Sequence, residues 1–141
     1  MAYDFRKSSE RHFTAAESLD REGWLGDAAH LYGLAAECAV KSALLGTGEL
    51  ALLPNGEFPE GRLKKHIEKL VSILPQIMSG RLWPGYYAII RNAIGCFSTW
   101  SVNDRYRSEA EIAMGDYPRW KQAAAKANSM LNLAASQGCA S

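Results

Sequence analysis

The run His30–Leu45, "HLYGLAAECAVKSALL", limits the fold of this chain more than any other feature. It reads as a helix too apolar to face water, yet it carries His30, Glu37 and Lys41. An isolated charge in an apolar interior costs several kcal/mol, so such groups persist only when paired, hydrogen-bonded or used. His30, Leu34, Glu37 and Lys41 fall at offsets of zero, four, seven and eleven, within a sector of roughly 60° at about 100° per residue. Gly33 lies close to the same stripe, and alanines with Tyr32 fill the opposite side. A helix that is apolar all round belongs at the centre of a bundle.

The rest of the chain supplies neighbours for such a helix. Phe5, Ser9, His12, Phe13, Ala16 and Leu19 recur at helical spacing and predict an amphipathic helix from Phe5 to about Glu22, ended by Gly23. The central helix is expected to begin near Gly26 or Asp27, with Asp27 as cap or first-turn acid, and to stop at "GTG", residues 46–48. Residues 48–61 read as a loop, and Leu63, Ile67, Leu70, Leu74 and Ile77 mark a third helix. A fourth runs from about Tyr86 to Thr99, and the last long helix starts near Asp116, with Pro118 in its first turn, and passes Leu133. The expectation is an all-α fold, a compact antiparallel bundle of four to five helices in one domain spanning residues 1–141.

Composition narrows the function classes. With 141 residues and 48% hydrophobic content, the chain has enough apolar material for one core without a staple. Cys38, Cys96 and Cys139 are odd in number and far apart, so neither a disulfide framework nor a zinc knuckle is indicated, and no metal or cofactor is expected. A reducing, cytoplasmic setting fits this cysteine usage, and no apolar run reaches the length of a membrane span. The net charge of +1 argues against a protein that coats duplex DNA. The basic clusters Arg6, Lys7, Arg11 and Arg62, Lys64, Lys65, Lys69 read as solvated helix faces. No Walker A spacing is present.

Glu37 and Lys41 can pair with each other, but that alone leaves donors and acceptors open in a buried place. The segment "STWSVNDRYR" supplies Asp104 and Arg105 just after an aromatic anchor, Trp100. The expected arrangement sets Arg105 against Glu37 and Asp104 against Lys41. A purely architectural role, as a polar lock that fixes helix register, stands beside a binding role.

The combination "AAHLYGLAAECAVKSALL", "LKKHIEKL" and "FSTWSVNDRY", in that order, closely resembles bacterial HEPN-domain proteins over nearly the whole chain. The resemblance implies a small helical bundle concerned with nucleotides or RNA, working as a homodimer. It also implies a place in toxin-antitoxin or defence systems, beside an antitoxin-like protein partner. Many members are metal-independent endoribonucleases whose signature is an arginine and a following histidine with four to six residues between them. That pairing suits RNA cleavage, because imidazole moves a 2'-hydroxyl proton near neutral pH while guanidinium holds the phosphate. Arg105 stands where the family arginine is expected, but "YRSEAEIAMG" follows it with no histidine. Arg6 and His12 match the spacing on the first helix, while Arg62 and His66 fall outside it.

Two expectations follow. In the first, His30, Glu37, Lys41, Asp104, Arg105, Tyr106 and Arg107 form a polar pocket that binds RNA, a nucleotide or a protein partner, with a degenerate nuclease motif. In the second, Arg105 is catalytic and a histidine, His30, His12 or His66, reaches in from another helix or subunit.

Overall fold

The computed structural model describes residues 4–46, 91–92, 95–101, 103 and 106–136. It is all-α: α1 (Phe5–Arg21), α2 (Leu25–Gly46), a 3-10 turn (Phe97–Thr99), α3 (Glu109–Met114) and α4 (Tyr117–Ser136). No strand occurs among the described residues. The expected loop 48–61, the third helix and half of the fourth lie outside them.

Helix α1 begins where Asp4 accepts a hydrogen bond from the Lys7 amide at 2.9 Å. Its end is built by Gly23, at φ 81°, a conformation that side chains disfavour and glycine adopts freely. With Gly23 turned that way, its amide donates to the Asp20 carbonyl at 3.1 Å and the Trp24 amide to the Leu19 carbonyl at 3.0 Å. These two bonds satisfy carbonyls at the end of α1 and reverse the chain directly into α2.

The two helices run antiparallel. Tyr32 meets the Phe13 ring edge-on at 5.9 Å, Ser9 Oγ donates to the Ala35 carbonyl at 2.7 Å, and Lys41 Nζ lies 5.8 Å from the centre of the Phe5 ring. Moving forward along α2 therefore means moving backward along α1. Ala28, Ala29, Tyr32, Ala36, Ala39 and Val40 are all fully buried, which confirms α2 as the central element. Helix α4 packs on it through Trp120, Ala124, Ala127 and Leu131.

Helix α2 starts at Leu25, slightly ahead of the expected Gly26 or Asp27. Asp27 is a first-turn acid, but the cap comes from across the chain. Glu109 Oε2 accepts from the amides of both Leu25 and Gly26, the latter at 3.1 Å. A carboxylate there satisfies two otherwise open donors and meets the positive end of the helix dipole. It also explains α3, a short helix ahead of the expected start of the last one near Asp116 that the periodicity does not reveal. Ser108 caps α3 by accepting from the Glu111 amide at 3.3 Å, and the "SEAE" spelling of that capping box was present in the sequence.

Gly33 has a specific task. A Cβ placed on it would lie 2.2 Å from the Trp100 indole, so only glycine lets that ring lie on the helix. From this position Trp100 Nε1 donates to the Ala29 carbonyl at 2.8 Å. Gly33→Ala should therefore cost about 1–3 kcal/mol in denaturant melting, because the indole must leave its seat. In a Trp100→Ala background the same change should become neutral or stabilising, since alanine exceeds glycine in helix propensity by about 1 kcal/mol. Additive effects in that double-mutant cycle would disprove the interlock.

Candidate functional site

The apolar periodicity of α2 forces Glu37 and Lys41 inward, and the helix register places them one turn apart. Lys41 Nζ and Glu37 Oε2 are 3.0 Å apart, with only 6% of the lysine side chain and 10% of the glutamate side chain exposed. The pair is therefore a buried salt bridge. Both residues make further interactions beyond this one. The Phe5 ring covers the ammonium from α1, which adds a cation–π contact.

Helix α1 brings His12 into the field of Glu37. Burial, followed by the adjacent Arg11 charge, pushes the His12 imidazole below its ordinary pKa, and Glu37 opposes that shift. Burial thus favours the neutral form of His12. Arg6, the other half of the R-x-x-x-x-x-H match, is held by Glu10 at 3.7 Å on the outer side. Cys38, beside Glu37, is pushed up to about 12 by burial first and by the Glu37 charge second. Its thiol stays protonated and is a poor nucleophile.

His30 lies further back on α2, roughly 10 Å from Glu37 by the rise per residue. Its ring is nearly parallel to the Trp100 indole, at 10° with centroids 6.3 Å apart. The structure thus brings Glu37 and Lys41 together and sets His30 beside the aromatic anchor instead of beside the ion pair. Asp104 and Arg105 lie outside the described residues, so the expected contacts with Lys41 and Glu37 do too, as does His66. Tyr106 is 73% exposed and Arg107 is exposed, immediately before α3.

The sequence reading did not find a second polar seam. Tyr32 donates to Glu17 Oε1 at 2.8 Å, Tyr117 donates to Asp20 Oδ1, and Lys121 Nζ donates to Asp20 Oδ2 at 2.8 Å. These bonds tie the second half of α1 to α2 and to the first turns of α4. The Lys121 and Tyr117 hydrogen bonds hold Asp20 below its ordinary pKa, while burial and their carboxylate partners raise both tyrosines. The i, i+3 placement of Glu17 and Asp20 on α1 was legible, but their partners are tertiary.

Among the described residues no group of three histidine, cysteine or acidic side chains could hold a metal ion. None of the described helices is long and apolar enough to cross a membrane.

Two predictions follow from the charges. Lys41→Met should destabilise the fold by about 3–5 kcal/mol in urea unfolding, because it takes a buried counter-charge 3.0 Å away from the Glu37 carboxylate, and adding Glu37→Gln should recover much of the loss. Loss of stability by both variants equally would remove the charge argument. For Asp20, a pKa held down in the folded state gives stability that is present above the ordinary carboxylate range and disappears as pH falls through the folded value. Asp20→Asn should accordingly lower the melting temperature at pH 7 and flatten its decline below about pH 4. An unchanged acid limb would show that Asp20 contributes nothing to it.

In comparisons with protein families, characterised proteins and solved structures, the chain matches none.

Proposed function

We propose that this chain is a HEPN-like module that binds RNA or a nucleotide through the segment following Trp100, and that it works with a protein partner in a toxin-antitoxin or defence setting. The observation that carries this reading is the way Trp100 is pinned to α2. Its indole sits on Gly33 and bonds the Ala29 carbonyl, so the chain leaving it, with Tyr106 and Arg107, departs from a rigid helix. An exposed phenol ring beside an exposed guanidinium suits base stacking and phosphate contact. The buried Glu37–Lys41 pair gives the central helix a fixed polar point from which such a surface can be organised. The resemblance of "AAHLYGLAAECAVKSALL" and "FSTWSVNDRY" to HEPN proteins supplies the ligand class.

A second reading, a metal-independent endoribonuclease with an altered site, is favoured by one observation. The His30 imidazole stacks on Trp100, five residues ahead of Arg105 in the sequence, which supports a histidine from another helix as the proton carrier.

End-labelled single-stranded RNA and tRNA, incubated with the protein in EDTA, test both. Saturable binding without cleavage is the expected outcome, with Tyr106→Ala weakening affinity roughly ten- to a hundredfold and Arg107→Ala reducing its salt dependence. Cleavage that survives EDTA and disappears in His30→Gln would establish the second reading. RNA neither bound nor cut would refute both.

A further inference from the structure

We infer that the two ends of this bundle are complementary and that copies of the chain associate head to tail. Three long-range contacts gather one end. Glu109 caps α2, Tyr117 and Lys121 both reach Asp20, and Thr99 Oγ1 donates to Asp116 Oδ2 at 2.6 Å. The turn from α1 to α2, the short α3 and the start of α4 therefore share one surface. It exposes two large apolar side chains, Trp24 at 56% and Met114 at 88%. Around them Glu22, Asp27 and Glu111 are exposed and make no ion pair among the described residues, against one such described cation, Arg21. Arg119 and Lys121, by contrast, are engaged by Asp116 and Asp20.

The first two turns of α1, roughly 25 Å away by the rise per residue, have the opposite character. Asp4 is occupied as a helix cap and Glu10 by Arg6. Lys7 and Arg11 are exposed with no carboxylate partner among the described residues, one helical turn apart on the same face. A guanidinium and an ammonium are suited to an exposed indole ringed by carboxylates, through cation–π contact and ion pairing together. The occupant that fits the Trp24 end is thus the α1 start of a second copy. Because the two surfaces differ, the interface is heterologous and each added copy leaves a new end open, so association continues past two or closes into a ring. This inference is independent of the RNA reading, which the binding assay above decides separately.

Sedimentation velocity over a protein concentration series, at low and high ionic strength, tests it. The expected result is an average mass that climbs beyond a dimer at low salt and falls back at high salt. One variant carries Glu22→Lys and Glu111→Lys, a second Lys7→Glu and Arg11→Glu, and each alone should lose at least about tenfold in association. Mixed together they should associate again, because the reversed charges are complementary. All four positions are exposed, and circular dichroism confirms that each variant is folded. If a reversal does unfold the chain, Glu22→Gln with Met114→Ser gives the same readout without added charge. A mass that is independent of concentration, one that stops at a salt-insensitive dimer, or variants that stay apart when mixed would each overturn the proposal.

Discussion

The Trp100 indole lying on Gly33 is the contact on which the described architecture turns. It joins chain segments about seventy residues apart, and it does so on the most buried of the described helices. The indole nitrogen finds its acceptor in the Ala29 carbonyl, so a large aromatic group enters the core without stranding its polar atom. Phe97 meets the same ring edge-on at 6.3 Å, and His30 covers it from α2. A residue with a side chain at position 33 would separate these groups and leave the chain after Trp100 without its anchor.

Around that contact the polar groups of the core divide into two systems with different chemistry. Glu37 and Lys41 pair within one helix, and Phe5 and His12 of α1 lie among their further neighbours. The Glu17–Tyr32 and Asp20–Tyr117–Lys121 bonds each cross between helices. Losing one of them uncouples helices, whereas losing one partner of the buried pair takes a counter-charge away from the other. The first system fixes what α2 can be buried against, and the second fixes how α1 and α4 are aligned with it. The functional proposals use neither network as a binding surface: RNA is assigned to the exposed Tyr106–Arg107 segment, and self-association to charges that no partner among the described residues consumes.

Much of this was legible in the sequence because helical periodicity is a local property. The pattern from Phe5 to Leu19 gave α1, Gly23 gave its end, and the continuous apolar character of residues 30–45 marked α2 as central. Glu37 and Lys41 were recognisable as a buried pair because their spacing alone puts them in reach. Trp100, read from the sequence as an aromatic anchor, is buried, and Trp120 is buried with it. The short α3 was missed although its capping box, Ser108 with Glu111, is local, because six residues make too little periodicity to stand out from a turn.

What only the tertiary structure decided is which distant groups meet. No spacing rule links Glu109 to the first amides of α2, or Asp20 to Tyr117 and Lys121, since those pairs are created by the packing of helices whose order in space the sequence does not state. The same holds for Gly33, whose place near the polar stripe was visible but whose purpose, admitting an indole from residue 100, was not. Periodicity determines which face of a helix is buried. The geometry of the assembled bundle determines what it is buried against, and the candidate site arises at that second level.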